Sequence, residues 1–261
     1  MVIEADKLCL GYGGKPVVKD LSLSVPAGSW ASIIGPNGCG KSTLLKALSR
    51  NLKPVSGSVR VMDRPLDNYG GRSLARTMAF LAQTPQIPDY FSVKELVGYG
   101  RYPHTGWFGS LRPRDREAVE QALEATDMLD FSEREVASLS GGERQRAWIA
   151  MALAQEAELL LFDEPTTHLD IAYQFQILEL IDRLRKEMGR TVVTVLHDLN
   201  QAARYSDQLF VMKNGCIFAT GEPSVVLTPQ LLGDVFSIDV RLLQDEELDC
   251  PFVVPLGGKQ Q

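Results

Sequence analysis

The sequence predicts an α/β protein whose core opens with antiparallel strands and is interrupted by a helical insertion. Three observations predict it. Residues 2–10 and 17–25 are adjacent alternating segments, which read as paired strands. Short apolar runs at 30–34, 159–162 and 191–196 recur among helical stretches, the alternation of an α/β core. Between 88 and 154 the strand signals stop and helical ones replace them. The expected division is therefore a core of 1–87 with 155–261, and a helical subdomain at 88–154.

The elements follow in order. Residues 30–34 form an apolar strand that runs into glycine-rich sequence, and residues 41–49 place Leu44, Leu45 and Leu48 on one helical face. Ser92 and Glu95 fit a capping box that opens one helix, and Pro113 stands at the start of another that reaches Ala125. The loop at 99–108 is aromatic, with Tyr99, Tyr102, Trp107 and Phe108 among glycines and Pro103. Trp107 and Phe108 are expected either to pack inside the helical lobe or to line a groove for a partner helix. Residues 171–188 read as a long amphipathic helix, and 207–212 and 216–220 as strands joined by an Asn214-Gly215 turn. After Val240 the tail, with Pro251, Pro255 and two glycines, reads as an irregular surface strap.

Composition removes several function classes. The chain has 261 residues and is 44% hydrophobic, enough for one large domain or two lobes. The apolar run at 147–154 falls far short of the ~20 residues a membrane helix needs. The first six residues lack the basic start and apolar centre of a secretion signal. A cytosolic chain is expected, with any membrane role supplied through a partner. The net charge of −6, from 27 basic and 33 acidic residues, argues against nucleic acid as a partner. Cys9, Cys39, Cys216 and Cys250 are scattered without metal-ligand spacing and read as reduced thiols.

Chemistry concentrates in three places. Gly35-Pro36-Asn37-Gly38-Cys39-Gly40-Lys41-Ser42, with Thr43 following, has the spacing of a phosphate-binding loop between a strand and a helix. Glycines let successive backbone N–H groups face phosphate, and the helix start adds its positive end. Lys41 is expected on the β- and γ-phosphates of a nucleotide and Ser42 on Mg²⁺. The apolar run at 159–162 ends in Asp163 and Glu164, at the strand end where α/β sheets bind ligands. Asp163 is expected to hold magnesium and Glu164 to act as general base toward water. Ser140-Gly141-Gly142-Glu143 opens a helix. A capping box explains Ser140 and Glu143. It leaves unexplained two glycines that weaken a first turn by ~1 kcal/mol each, unless a ligand approaches the backbone closely.

With these motifs in this order, nearly the whole chain resembles the ABC-type ATPases, with residues 139–145 similar to that family's signature sequence. The resemblance implies the P-loop NTPase (RecA-like) core of the ABC ATPase fold, with ATP and Mg²⁺ as ligands. It implies that Ser140, Gly141, Gly142 and Glu143 bind ATP held by a second copy, so that a homodimer sandwiches two nucleotides. Tyr12 resembles the aromatic that stacks on adenine. Gln83 resembles the glutamine that contacts Mg²⁺ or the attacking water. Asp170 resembles the loop residue that crosses the dimer interface, although its place before residue 171 also suits a helix cap. His197 resembles the histidine that holds the γ-phosphate and Glu164. It is one of only three histidines, and it stands at a strand end.

Two further stretches, 91–104 and 166–171, resemble importers of ferric siderophores, haem and cobalamin, as does the tail around 252–255. The expectation is the ATP-hydrolysing subunit of an importer for ferric siderophore or a related metal chelate. It would sit peripherally on the cytoplasmic face of the cell membrane, bound to permease subunits and served indirectly by an extracytoplasmic substrate-binding protein. An importer of haem or cobalamin, or an ABC exporter, would share the catalytic residues.

Overall fold

A computed structural model describes residues 1–83, 90–105, 110–245 and 250–258 of the chain. These form two compact units, 1–68 with 192–261, and 69–191.

The first unit opens with strands Ile3–Tyr12 and Lys15–Val25, paired antiparallel through a two-residue turn at Gly13 and Gly14. Strand Ser56–Val61 adds to the other edge of Ile3–Tyr12, and the short Arg64–Pro65 adds to it in turn. The alternation seen in sequence is the burial pattern: Ile3, Ala5, Leu8 and Leu10 face inward. Strand Trp30–Ile34 lies parallel to both Thr191–Val195 and Gln208–Lys213, and Cys216–Gly221 returns antiparallel beside the latter. All five residues of Trp30–Ile34 are buried, as a strand covered on both faces requires. A buried polar chain fixes its position. The Trp30 indole donates to Thr194 Oγ1 at 2.9 Å, Thr194 and Ser32 hydroxyls lie 2.8 Å apart, and Ser206 donates to Ser32 at 2.6 Å. Each buried polar atom thereby gains a partner whose absence would cost about 1–3 kcal/mol.

The described part of the tail is regular, contrary to the irregular strap expected from its prolines and glycines. Ile238–Asp245 and Cys250–Gly258 form an antiparallel hairpin. Both strands of a two-stranded hairpin are edges, so Pro251 and Pro255 cost no interior ladder bond, and the register shift falls beside Pro255. Asn200 of helix Leu199–Tyr205 clamps this hairpin. Its Oδ1 accepts from Val253 N at 2.7 Å and its Nδ2 donates to Val253 O at 3.2 Å.

The second unit contains the parallel pair Met78–Leu81 and Leu159–Asp163 and most of the helices. Ser92 caps helix Val93–Tyr99 with the full reciprocal box predicted, and Pro113 is the first residue of helix Pro113–Ala125. Both helices pack on Gly141–Ala154. The stretch expected as an aromatic loop contains a short helix, Tyr102–Thr105. Trp107 and Phe108 lie outside the described residues.

Arg101, 1% exposed, ties this unit together. Its guanidinium donates to Asp115 Oδ1 through Nε at 3.1 Å and Nη2 at 3.0 Å, and through Nη1 to Ala154 O and Glu156 Oε2, both at 2.7 Å. His104 Nε2 is hydrogen-bonded to Gln155 O at 3.0 Å. The Arg101 guanidinium on the Ala154 carbonyl also favours the C-terminal dipole of helix Gly141–Ala154. Arg101 and His104, which the sequence marks only by resemblance, are thus internal struts.

Candidate functional site

In the first unit, the loop after strand Trp30–Ile34 wraps toward the start of helix Lys41–Leu48. Gly40 is the helix N-cap with φ 107°, a left-handed conformation open to glycine and strained for a side chain. Leu44 N donates to Gly40 O at 2.8 Å, so the helical ladder starts there and the first-turn N–H groups point out of the helix end. Lys41 is buried, and its Nζ donates to Gly35 O at 2.8 Å and Pro36 O at 3.1 Å. The ammonium is therefore folded into the curl of Gly35, Pro36, Asn37, Gly38, Cys39 and Gly40, where a phosphate would meet both it and the backbone amides. Ser42 and Thr43 are half-buried on the first turn. Burial pushes the Cys39 thiol above its ordinary range, against the pull of Lys41, so it stays protonated and packs as a small apolar group.

Tyr12 lies at the turn end of its strand and is half exposed, as a ring available for stacking would be. His197 follows strand Thr191–Val195 and is exposed. Asp198 beside it caps helix Leu199–Tyr205 by accepting from Gln201 N at 2.8 Å, so the cap belongs to the aspartate and leaves the imidazole outside it.

In the second unit the two parallel strands share a register, with Leu81 opposite Phe162. Gln83 and Glu164 each lie two residues beyond that pair and therefore come to the same level. Gln83 Nε2 donates to Glu164 Oε2 at 2.6 Å. Asp163 is buried at the strand end, whereas Glu164 is half-buried with φ 54°. A left-handed glutamate before a proline costs of order 1–3 kcal/mol, and such strain concentrates at functional positions.

Ser140 and Glu143 make the capping box expected of them. Glu143 Oε2 accepts from Ser140 N at 2.8 Å, and Ser140 Oγ accepts from Glu143 N at 3.4 Å. The Ser140 hydroxyl, and after it the Ser140 backbone N–H, hold the Glu143 carboxyl below its ordinary range. Gly141 is exposed. Gly142 is buried, and a Cβ there would lie 2.4 Å from Cδ1 of the Tyr173 ring. Packing against Tyr173 thus demands a glycine here, beside any close approach of a ligand. Asp170 occupies the N-cap position of Ile171–Met188, but its side chain makes no capping bond. Asp170 is therefore not a side-chain cap of that helix.

Sequence reasoning missed Thr167 and Tyr173. Thr167 Oγ1 donates to Glu164 Oε2 at 3.0 Å, a contact foreshadowed by its place three residues on in a proline-containing turn. Tyr173 gave no signal beyond an aromatic at the start of a helix.

Residues 18–167 match the family described as ABC transporter. The chain is 47% identical to the iron(3+)-hydroxamate import ATP-binding protein FhuC of Bacillus subtilis (strain 168), over 95% of this chain and 93% of that protein. It is 44% identical to the ferric enterobactin transport ATP-binding protein FepC of Escherichia coli (strain K12), over 98% and 94%. Among solved structures, a chain from an inward-facing transporter described as of metal-chelate type superposes with TM-score 0.85 at 30% identity, covering 98% of this chain and 97% of that one. The dimeric cassette MJ0796, bound to ADP and phosphate, superposes with TM-score 0.72 at 26% identity, over 84% and 98%.

The fold is thus the α/β P-loop fold of ABC ATPases. The chain belongs to the ABC transporter family, as one of its ATP-binding subunits. Among the described residues, no helix is long and apolar enough to cross a membrane.

Proposed function

We propose that this chain hydrolyses ATP to drive uptake of a ferric siderophore or a related metal chelate. The near full-length similarity to the hydroxamate and enterobactin import subunits carries the substrate class. The proposed site has the following parts. The loop from Gly35 to Thr43 cradles the phosphates, with the Lys41 ammonium moving from its own loop carbonyls to the β- and γ-phosphates. Tyr12 stacks on adenine. Glu164 takes the proton from the attacking water, Gln83 orients that water, and His197 holds the γ-phosphate against Glu164. The Gln83–Glu164 contact supports this reading, because it brings a water-orienting amide and a carboxylate together at adjacent strand ends.

One hydroxyl, one carboxylate and one amide, from Ser42, Asp163 and Gln83, suit Mg²⁺, which takes few protein ligands and completes its shell with phosphate and water. When bound, the ion would neutralise charge on the phosphates.

A second copy supplies Ser140, Gly141, Gly142 and Glu143 to the γ-phosphate, and Asp170 lies along the shared face. The dimeric relative MJ0796 supports a paired arrangement. ATP then bridges two copies, and hydrolysis releases them. The helical subdomain at 88–154 moves with each change and shifts permease subunits at the cytoplasmic face of the membrane, while an extracytoplasmic binding protein delivers the chelate. This is a coupling of nucleotide state to two conformations.

Uptake of radiolabelled ferric hydroxamate, ferric enterobactin, haem and cobalamin in cells lacking the protein tests the assignment. Loss of a ferric siderophore label alone, restored by the wild-type chain, is the expected result. Unchanged uptake of every ferric siderophore would overturn it.

A further inference from the structure

The turn after strand Leu159–Asp163 contains a contact that neither the nucleotide-binding motifs nor the proposed cycle uses. Glu164, Pro165, Thr166 and Thr167 form a turn in which Thr167 N donates to Glu164 O at 3.2 Å. Within that closed turn the Thr167 hydroxyl reaches back to Glu164 Oε2 at 3.0 Å, the same oxygen that accepts from Gln83 at 2.6 Å. Two donors, one beyond the neighbouring strand and one within the turn, thus converge on one carboxylate oxygen. A carboxylate on a flexible stem loses rotamer freedom when it is held for reaction, and fixed donors supply that restraint beforehand.

Threonine suits the task better than another hydroxyl carrier. Its two heavy atoms on Cβ stiffen χ1, so the hydroxyl direction is set by the backbone. Pro165 presets its own φ within the same turn. Thr167 is half-buried, which keeps its hydroxyl from being wholly engaged by water, and hydrogen bonds to a charged acceptor are among the stronger ones.

We propose that Thr167 is a positioning residue for Glu164: its hydroxyl holds the carboxylate in the orientation from which it takes the proton of the attacking water. The proposal rests on the reading of Glu164 as that base. Thr167 itself touches neither nucleotide nor water in this role. The backbone bond closes the turn whichever side chain is present, so the hydroxyl can be removed while the turn remains.

Steady-state ATPase kinetics of Thr167→Val, Thr167→Ser and Glu164→Gln, with thermal melts of each, test it. Valine keeps the branched shape and deletes the donor. Thr167→Val is expected to lower kcat about tenfold or more, as loss of a hydrogen bond to a charged group implies, with KM for ATP nearly unchanged. Thr167→Ser is expected to recover most of the rate. In the Glu164→Gln background, Thr167→Val is expected to leave ATP-driven dimerisation at the same ATP concentration, because its effect passes through the carboxylate. A wild-type kcat in Thr167→Val beside an inactive Glu164→Gln overturns the role of Thr167 and leaves that of Glu164 standing. Equal loss in the serine and valine forms, or a higher ATP requirement for dimers, overturns it too, since either makes Thr167 a determinant of loop shape. Wild-type turnover in Glu164→Gln removes the base itself. If valine melts below the assay temperature, Thr167→Ala is judged by the same outcomes.

Discussion

Gln83 donates its side-chain amide to the Glu164 carboxylate at 2.6 Å, across the ends of two parallel strands whose register sets both residues at one level. The contact follows from register rather than from proximity in sequence, since 81 positions separate the two. Gln83→Ala is expected to lower ATP turnover about ten- to a hundredfold, the loss of one charge-assisted bond, while ATP binding changes little. Gln83→Glu sets a second carboxylate against Glu164 and is expected to lower turnover further. Turnover and nucleotide affinity measured on the same preparations check both.

Gly142 lies under the ring of Tyr173, and this separates packing from ligand contact. Gly142→Ala drives a Cβ to within 2.4 Å of Cδ1 near the ring's root, so the ring or the helix must shift. Destabilisation of about 1–3 kcal/mol is expected, as for overpacking. Adding Tyr173→Ala is expected to recover much of that stability. ATPase activity is expected to stay low in the double variant, because the methyl group still covers the backbone proposed for the second copy's γ-phosphate. Denaturant melts and turnover on the single and double variants check it.

The buried Arg101 network makes an acid-sensitive strut. Burial pushes the Asp115 carboxyl up, but the Arg112 backbone N–H and the Arg101 guanidinium outweigh it, and the net shift is downward. Glu156 follows the same balance, with burial opposed chiefly by Arg101. A depressed carboxylate contributes stability that is present above its unfolded value, about 3.9 for aspartate, and that is lost as pH falls through the folded value. Wild-type protein is therefore expected to lose stability below about pH 4 more steeply than Asp115→Asn. Arg101→Met, which leaves Asp115 buried without its partner, is expected to cost about 3–5 kcal/mol at neutral pH. The bond to Glu156, whose side chain is 38% exposed, adds little to that. Melting curves from pH 3 to pH 7 check the sign.

Asn200 joins the C-terminal hairpin to the helix that follows His197. Asn200→Ala is expected to raise amide exchange throughout Cys250–Gly258 and to expose the hairpin to proteolysis, leaving exchange in Lys41–Leu48 unchanged. Hydrogen exchange on the two proteins checks it.

Much of the fold could be read from local chemistry. The strand Trp30–Ile34 and the helix Ile171–Met188 have the bounds that apolar runs and periodicity marked, because burial imposes its period directly on sequence. The Ser92 and Ser140 boxes were legible because both partners lie within four residues. The hairpin at the C-terminus was not, because its prolines argue against a strand wherever neighbours are unknown, and only the pairing reveals that both strands are edges. The same limit hid Tyr173 over Gly142. A glycine reports that something comes close to it and does not say what. For Glu164, sequence named the acid, whereas its two donors depend on a strand register and a turn that only the folded chain provides.

The decisive measurement is made on Glu164→Gln, with ATP turnover and oligomeric state followed in the same sample with Mg²⁺ present. Hydrolysis is expected to be abolished while ATP still draws the chain into stable dimers, which disperse when ADP replaces ATP. Undiminished hydrolysis in that variant would contradict the role of Glu164 as the base.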